Sequence, residues 1–236
     1  MSDDVAELRL HDLAGDVGRL LSGEPCATVF EIDCDRAAAA RPDLEAVLDA
    51  DERAGLSRLR QPLQRQRATI LRGALRWILG LHLGVPPECV PLVREPGGRP
   101  RLREVPASRR LSISSASCGA RGTFVVARGT EVGIDLECVS EHRFPPALAR
   151  HILHPRELAL FEILPIEARC AWLTTAWVRK EALLKTRGLG LTVDPRLVDV
   201  MSPTPWLGWV RTQGMMLTAL AFSNPATTTQ FFCLRV

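Results

Sequence analysis

The chain has 236 residues, 46% hydrophobic and 24% charged, enough apolar material for one large domain or two small ones and no composition for disorder. A net charge of +3 is too mild to argue for nucleic acid, and no apolar run approaches the ~20 residues of a membrane span. The 7 cysteines are irregularly spaced with no CxxC pair, and MSDDVAELRL is not a signal peptide, so a soluble cytoplasmic protein without a disulfide framework or zinc knuckle is expected.

Residues 27–34 read as a short strand. Pro42 and Asp43 open a helical region that runs to about Arg60. From Arg65 to Leu83 the apolar residues Ile70, Leu71, Ala74, Leu75, Ile78 and Leu79 recur at three and four, which predicts a helix closed by Gly84. Arg65, Arg67, Arg72 and Arg76 lie along it, either as a solvated basic face or as an anion-binding surface. Glu95–Pro100 clusters Gly and Pro and reads as a turn. Leu111–Ser115, Thr123–Ala127 and Val132–Cys138 read as strands, with a domain boundary at Arg128-Gly129-Thr130. This divides the chain into residues 1–130 and 131–236. Helices are expected at about 145–153, 155–164 and 166–186, the last ended by Gly188 and Gly190. The tail from 205 reads as a small antiparallel meander.

Two segments carry carboxylates where chemistry could use them. In Val132-Gly-Ile-Asp-Leu-Glu137, residues two apart on a strand share a face, so Asp135 and Glu137 point together while Ile134 and Leu136 enter the core. Adjacent carboxylates repel, and a cation between them would remove that cost; a solvated acidic face is the alternative. In Trp177–Lys185, Trp177, Glu181 and Lys185 fall on one helical stripe. An ordinary Glu–Lys surface pair would do the same. Yet among 30 basic residues only Lys180 and Lys185 are lysines, which suggests selected point charges. Together the two segments suit magnesium, which takes a few carboxylates plus substrate phosphates. His151 and His154 are spaced for metal but lack a third ligand. The serine-rich 112–117 stretch is not a nucleophile elbow, and no phosphate-binding glycine loop is present.

These residues resemble a known family. Gly133-Ile-Asp-Leu-Glu137 and Trp177-Val-Arg-Lys-Glu-Ala-Leu-Leu-Lys185, followed by Arg187-Gly-Leu-Gly-Leu191, are similar to the two signature motifs of the 4′-phosphopantetheinyl transferases, of the longer single-chain Sfp-like (surfactin synthetase-activating) type. The likeness extends over about residues 50–200. It implies an α+β fold of two similar α/β subdomains related by a pseudo-twofold axis, with coenzyme A in the cleft. It implies transfer of the phosphopantetheine arm to a serine of an apo carrier protein (acyl, peptidyl or aryl), with release of 3′,5′-ADP. Asp135, Glu137 and Glu181 match the magnesium ligands, and Glu181 also matches the general base. Lys185 matches the lysine on the pyrophosphate. Arg67, Gly98, Arg99 and Pro100 match positions on the nucleotide, and Ser114 and Ser115 fall in a further coenzyme A segment. Glu157 matches an acidic residue near the site. A monomer is expected.

One position departs from the family pattern. Where relatives have Asn-x-Ser-His-Ser, this chain has Ser112-Ile-Ser-Ser-Ala116, so Ser115 replaces a histidine that pairs with a coenzyme A phosphate. Serine keeps a hydrogen bond without charge, which predicts donor binding weaker by roughly tenfold rather than lost chemistry. The competing readings are a binding module that holds coenzyme A or a carrier without transfer, and a nucleic-acid binder using the arginines of 58–76.

Overall fold

The computed structural model describes residues 6–9, 25–95, 98–103, 110–189, 192–201 and 207–235. Pro96 and Gly97 of the expected turn, and Gly190 and Leu191 of the second motif's tail, lie outside the described residues. The first half contains β1 (Ala6–Arg9), β2 (Cys26–Asp33), α1 (Arg41–Ala46), α2 (Ala50–Ser57), α3 (Pro62–Leu83), β3 (Leu92–Arg94), β4 (Pro100–Leu102), β5 (Ser112–Cys118) and β6 (Arg121–Arg128). Then follow β7 (Val132–Cys138), α4 (Ala149–Ile152), α5 (Pro155–Ile163), α6 (Ile166–Thr186), β8 (Leu207–Gln213), β9 (Met216–Phe222) and β10 (Thr228–Arg235). The class is mixed α+β, as expected. Among the described residues no helix is long and apolar enough to cross a membrane.

The strands form a five-stranded sheet in the order β1-β10-β2-β6-β5, a three-stranded sheet in the order β7-β9-β8, and the β3–β4 hairpin. The expected meander is therefore corrected. β8 and β9 do pair antiparallel, but β10 leaves them and runs parallel to β2 in the five-stranded sheet. Parallel pairing needs a long connection, and here almost the whole chain separates the partners.

The core explains the near-continuous apolar character of β2 and β6, because both faces of their sheet are covered. Phe30, Ile32, Phe124 and Val126 meet Ile70, Ala74, Leu75 and Ile78 of α3. The alternate residues Ala27, Val29, Val125 and Ala127 meet Val132, Ile134, Leu220 and Phe222 of the three-stranded sheet. On that sheet's far face, Leu217, Ala219 and Ala221 meet Val178, Ala182 and Leu183 of α6. The result is helix, sheet, sheet, helix.

Close approach of α6 to β7 depends on Gly133. A Cβ there would lie 2.0 Å from the Ala182 carbonyl oxygen and 2.5 Å from the Thr186 nitrogen, both backbone atoms. Leu136 is buried, and Asp135 and Glu137 lie on the Gly133 side of the strand, facing the helix.

Two buried charges brace the helices. Arg76 is 1% exposed and bonds Glu52, Asp49 and the carbonyl oxygen of Val90 at 3.2 Å. Asp49 and Glu52 also form the capping box of α2. Arg76 therefore belongs to neither a solvated face nor an anion-binding surface, because its donors are used inside the fold. Lys180 and Glu157 are both 0% exposed and lie 2.6 Å apart. Lys180 also donates to the carbonyl oxygens of Pro195 and Val198, while Glu157 accepts from the backbone nitrogens of His154 and Val200. Glu157, matched by resemblance to an acidic residue near the site, is here a structural anchor.

Gly133→Ala should destabilise the protein by about 3 kcal/mol or more, since backbone atoms cannot move aside as a side chain could. Lys180→Met should cost about 3–5 kcal/mol, because it strands the Glu157 carboxylate in the interior. Denaturant titration of each purified variant, with unchanged slope as the two-state control, checks both.

Candidate active site

Strand β7 and helix α6 bring the two motifs together. Asp135 and Glu181 are buried at 7% and 9% exposure. Lys185 donates to Asp135 Oδ1 at 2.7 Å and to the Ile134 carbonyl oxygen at 3.1 Å. It thus reaches across to the strand instead of forming the simple surface pair with Glu181 that helical spacing allowed. The helix ends at once beyond it. Gly188 (φ 69°) donates to the Lys185 carbonyl oxygen and Leu189 to that of Leu184, a Schellman cap that only a left-handed residue completes readily.

Burial raises the pKa of Glu181 above its ordinary value, the Asp135 and Glu137 charges raise it further, and Lys185 opposes them. Burial likewise raises Glu137; Arg143 opposes this and Asp135 adds to it. Glu137 and Glu181 thus both feel the charge of Asp135. Among the described residues, however, no group of three or more carboxylate, cysteine or histidine side chains is placed to hold a metal ion as it stands. The side chains show why. Lys185 occupies one oxygen of Asp135, and Arg143 lies 2.9 Å from Glu137 Oε1 and 2.7 Å from Oε2.

The donor set still fits a hard cation. Asp135 Oδ2 and Glu181 Oε1 are buried with no hydrogen-bond partner. Such oxygens are costly to bury unless something positive meets them, and oxygen-only ligands suit magnesium.

The remaining expected residues fall into two groups along β5. Arg67, Arg94, Arg143, Ser115 and Ser117 line a cavity of about 470 Å³. Arg67 is held there by a bidentate pair with Asp35, at 2.7 and 2.6 Å. Arg99, Pro100, Ser112 and Glu131 line a second cavity of about 400 Å³. Gly98 supplies the turn before it at φ 82°, a backbone geometry that favours glycine. Ser114 opens into neither. It is buried, and its hydroxyl accepts from the Ile134 nitrogen at 3.1 Å.

Ser114 and Ser112 do related work. Strand β7 is a sheet edge, so its outward backbone groups need partners. Ser112 Oγ accepts from the Val132 nitrogen at 3.0 Å, just as Ser114 serves Ile134. Arg99 bonds Ser112 Oγ at 3.0 Å and Glu131 Oε2 at 2.9 Å, tying the end of this seam. The residue that sequence reasoning missed is Arg143. Its signal was faint: a lone arginine beside Phe144 in a loop, brought to Glu137 only by the chain's turn.

Residues 131–223 match the description of the 4′-phosphopantetheinyl transferase superfamily. The chain is similar to the 4′-phosphopantetheinyl transferase HetI of Nostoc, 33% identical over 185 residues, or 78% of this chain and 77% of that protein. It is 33% identical over 141 residues to the L-aminoadipate-semialdehyde dehydrogenase-phosphopantetheinyl transferase of Eremothecium gossypii, covering 57% of this chain and 50% of that one. A holo-acyl-carrier-protein synthase of Streptococcus pyogenes matches more briefly, 38% over 63 residues, 25% of this chain and 53% of the other. The likeness to HetI over most of both chains and the motifs meeting at the β7–α6 contact lead to one conclusion: the chain belongs to the 4′-phosphopantetheinyl transferase superfamily and is a transferase.

Proposed function

We propose that this transferase moves the 4′-phosphopantetheine arm of coenzyme A onto a serine of an apo carrier protein, releasing 3′,5′-ADP, with magnesium as the cation. The observation that carries this reading is the placing of Asp135 and Glu137 on a strand against the helix of Glu181 and Lys185, beside a cavity lined by Arg67, Arg94 and Arg143. We read the fold as two halves, residues 1–130 and 131–236, related by a pseudo-twofold axis. The placement of one long helix on each sheet supports this, although β10 crosses between them. The enzyme is taken to act as a cytoplasmic monomer, without nucleic acid or membrane.

Asp135, Glu137 and Glu181 would hold the magnesium ion. When bound it would offset charge on the phosphate oxygens. The chain's own residues do the rest. Arg67, Gly98, Arg99, Pro100 and Ser115 hold the nucleotide end, with Ser114 positioning β7 beneath it. Lys185 presents a positive charge on a rigid helix end for the pyrophosphate. Glu181, whose proton affinity burial raises, takes the proton of the carrier serine as its oxygen attacks the β-phosphate. Such a base contributes ~10²–10⁴-fold.

Incubation with coenzyme A, magnesium and a panel of apo carriers from fatty-acid, polyketide and non-ribosomal peptide synthases should add the arm's mass to at least one carrier. Tight coenzyme A binding with no mass gain on any carrier would instead favour a binding module, the reading that Ser115 keeps in view.

Glu181→Gln should act in two directions. Transfer should fall at least ~10²-fold. The cation-free fold should become more stable at neutral pH, because a repelled, desolvated charge is removed. The sign follows from linkage: the folded state holds the Glu181 proton to higher pH than the unfolded chain, so stability falls as pH rises above the ordinary 4.5. Melting scans in chelator from pH 4 to pH 8 (roughly 2–4 °C per kcal/mol for this size) should show a shallower decline for the variant.

A further inference from the structure

Arg143 faces two sites. Its guanidinium bonds Glu137 at 2.9 Å, and the same side chain lines the cavity shared by Arg67, Arg94, Ser115 and Ser117. The two partners differ in burial: the Arg143 side chain is 50% exposed and that of Glu137 13%. The backbone beneath is fixed. Arg143 and Phe144 both donate to the Ser140 carbonyl oxygen, at 3.0 and 2.8 Å, and the buried Phe144 ring packs beside Trp177. A pinned turn therefore carries a side chain with room to move.

The cavity needs what this side chain can supply. Arg67 is matched by Asp35, and Arg94 Nη1 is engaged by the Gly98 carbonyl oxygen at 2.8 Å. Ser115 and Ser117 bring hydroxyls without charge. How much positive charge faces an anion there depends on whether Arg143 stays with Glu137.

We propose that Arg143 alternates between Glu137 and a phosphate group in this cavity: a divalent cation taken up by Glu137 displaces the guanidinium, whose planar fork then binds phosphate oxygens. The proposal rests on the transferase reading for the identity of its ligand, coenzyme A or its product 3′,5′-ADP. Displacement leaves neither group unpaired: the cation meets the mostly buried Glu137 carboxylate, and the half-exposed Arg143 gains the phosphate. The fork suits phosphate, which it can meet with two parallel hydrogen bonds. Cation and phosphate then favour each other's binding, and the coupling is reciprocal.

This arrangement has a signature that a structural role lacks. Without Arg143 the cation no longer has to displace a guanidinium from Glu137, so the cation alone binds more tightly. The phosphate ligand loses a charged contact and binds more weakly. The test uses the full chain as wild type, Arg143→Ala and Arg143→Lys. Mn²⁺ alone is titrated by the paramagnetic signal of the free ion, and 3′,5′-ADP is titrated by calorimetry at saturating Mn²⁺. Arg143→Ala should bind Mn²⁺ several-fold tighter and 3′,5′-ADP roughly tenfold weaker. Arg143→Lys, which keeps the charge without the fork, should fall between on both. Loss of affinity for both ligands together, or no change in either, overturns the proposal. The carrier panel separates this outcome from the parent reading. Mass gain on a carrier without the opposite shifts removes Arg143 alone, and the opposite shifts without mass gain keep Arg143 and remove transfer.

Discussion

At Gly133 the backbone of β7 lies against the backbone of α6 with no side chain between them. That contact sets the distance from strand to helix for the residues that follow. Two positions on, Asp135 meets Lys185, and Glu181 comes near enough for its proton affinity to feel Asp135. Any side chain at 133 would push the helix outward and separate the charges. The glycine is required here for space, since its backbone is ordinary extended strand and its φ is not positive.

The charges gathered there are imperfectly balanced. Three carboxylates face the lysine of the helix end and the arginine of the loop after β7, while two buried carboxylate oxygens, Asp135 Oδ2 and Glu181 Oε1, have no hydrogen-bond partner. Contrast the Lys180–Glu157 pair a few residues away, where the acceptors and donors of both groups are met by each other and by backbone. One pair is finished and holds the fold. The other cluster is unfinished, which suits the proposed uptake of a cation.

A polar seam joins the layers beside the site. The exposed edge of β7 would normally invite a further strand, yet Ser112 and Ser114 close it with hydroxyls, and Arg99 and Lys185 reach its carbonyls. The seam thus uses side chains where a sheet would use backbone. Residues matched to the coenzyme A donor and residues that hold the layers together are interleaved along β5.

Local pattern determined much by itself. The period of three and four placed α3, the alternation of β7 put Asp135 and Glu137 on one face, and Gly84 and Gly188 marked helix ends, because each of these depends on neighbours in the chain. The same logic put Glu181 and Lys185 on one stripe of α6. Other roles were not legible where the deciding partner is remote. Arg76 read as surface because Asp49 and Glu52 stand more than twenty residues away, on another helix. The resemblance placed Glu157 near the site, and no local pattern could pair it with Lys180, twenty-three positions on. The resemblance placed Ser114 in a coenzyme A segment, and nothing local says that an edge strand will also dock on its hydroxyl. The chain order of β10 could not announce that it pairs with β2, since hydrogen bonding between strands carries no sequence address. Sequence alone determined which residues share a face; only the tertiary structure decided what that face meets, because burial and charge pairing are set by groups that the chain brings together from far apart.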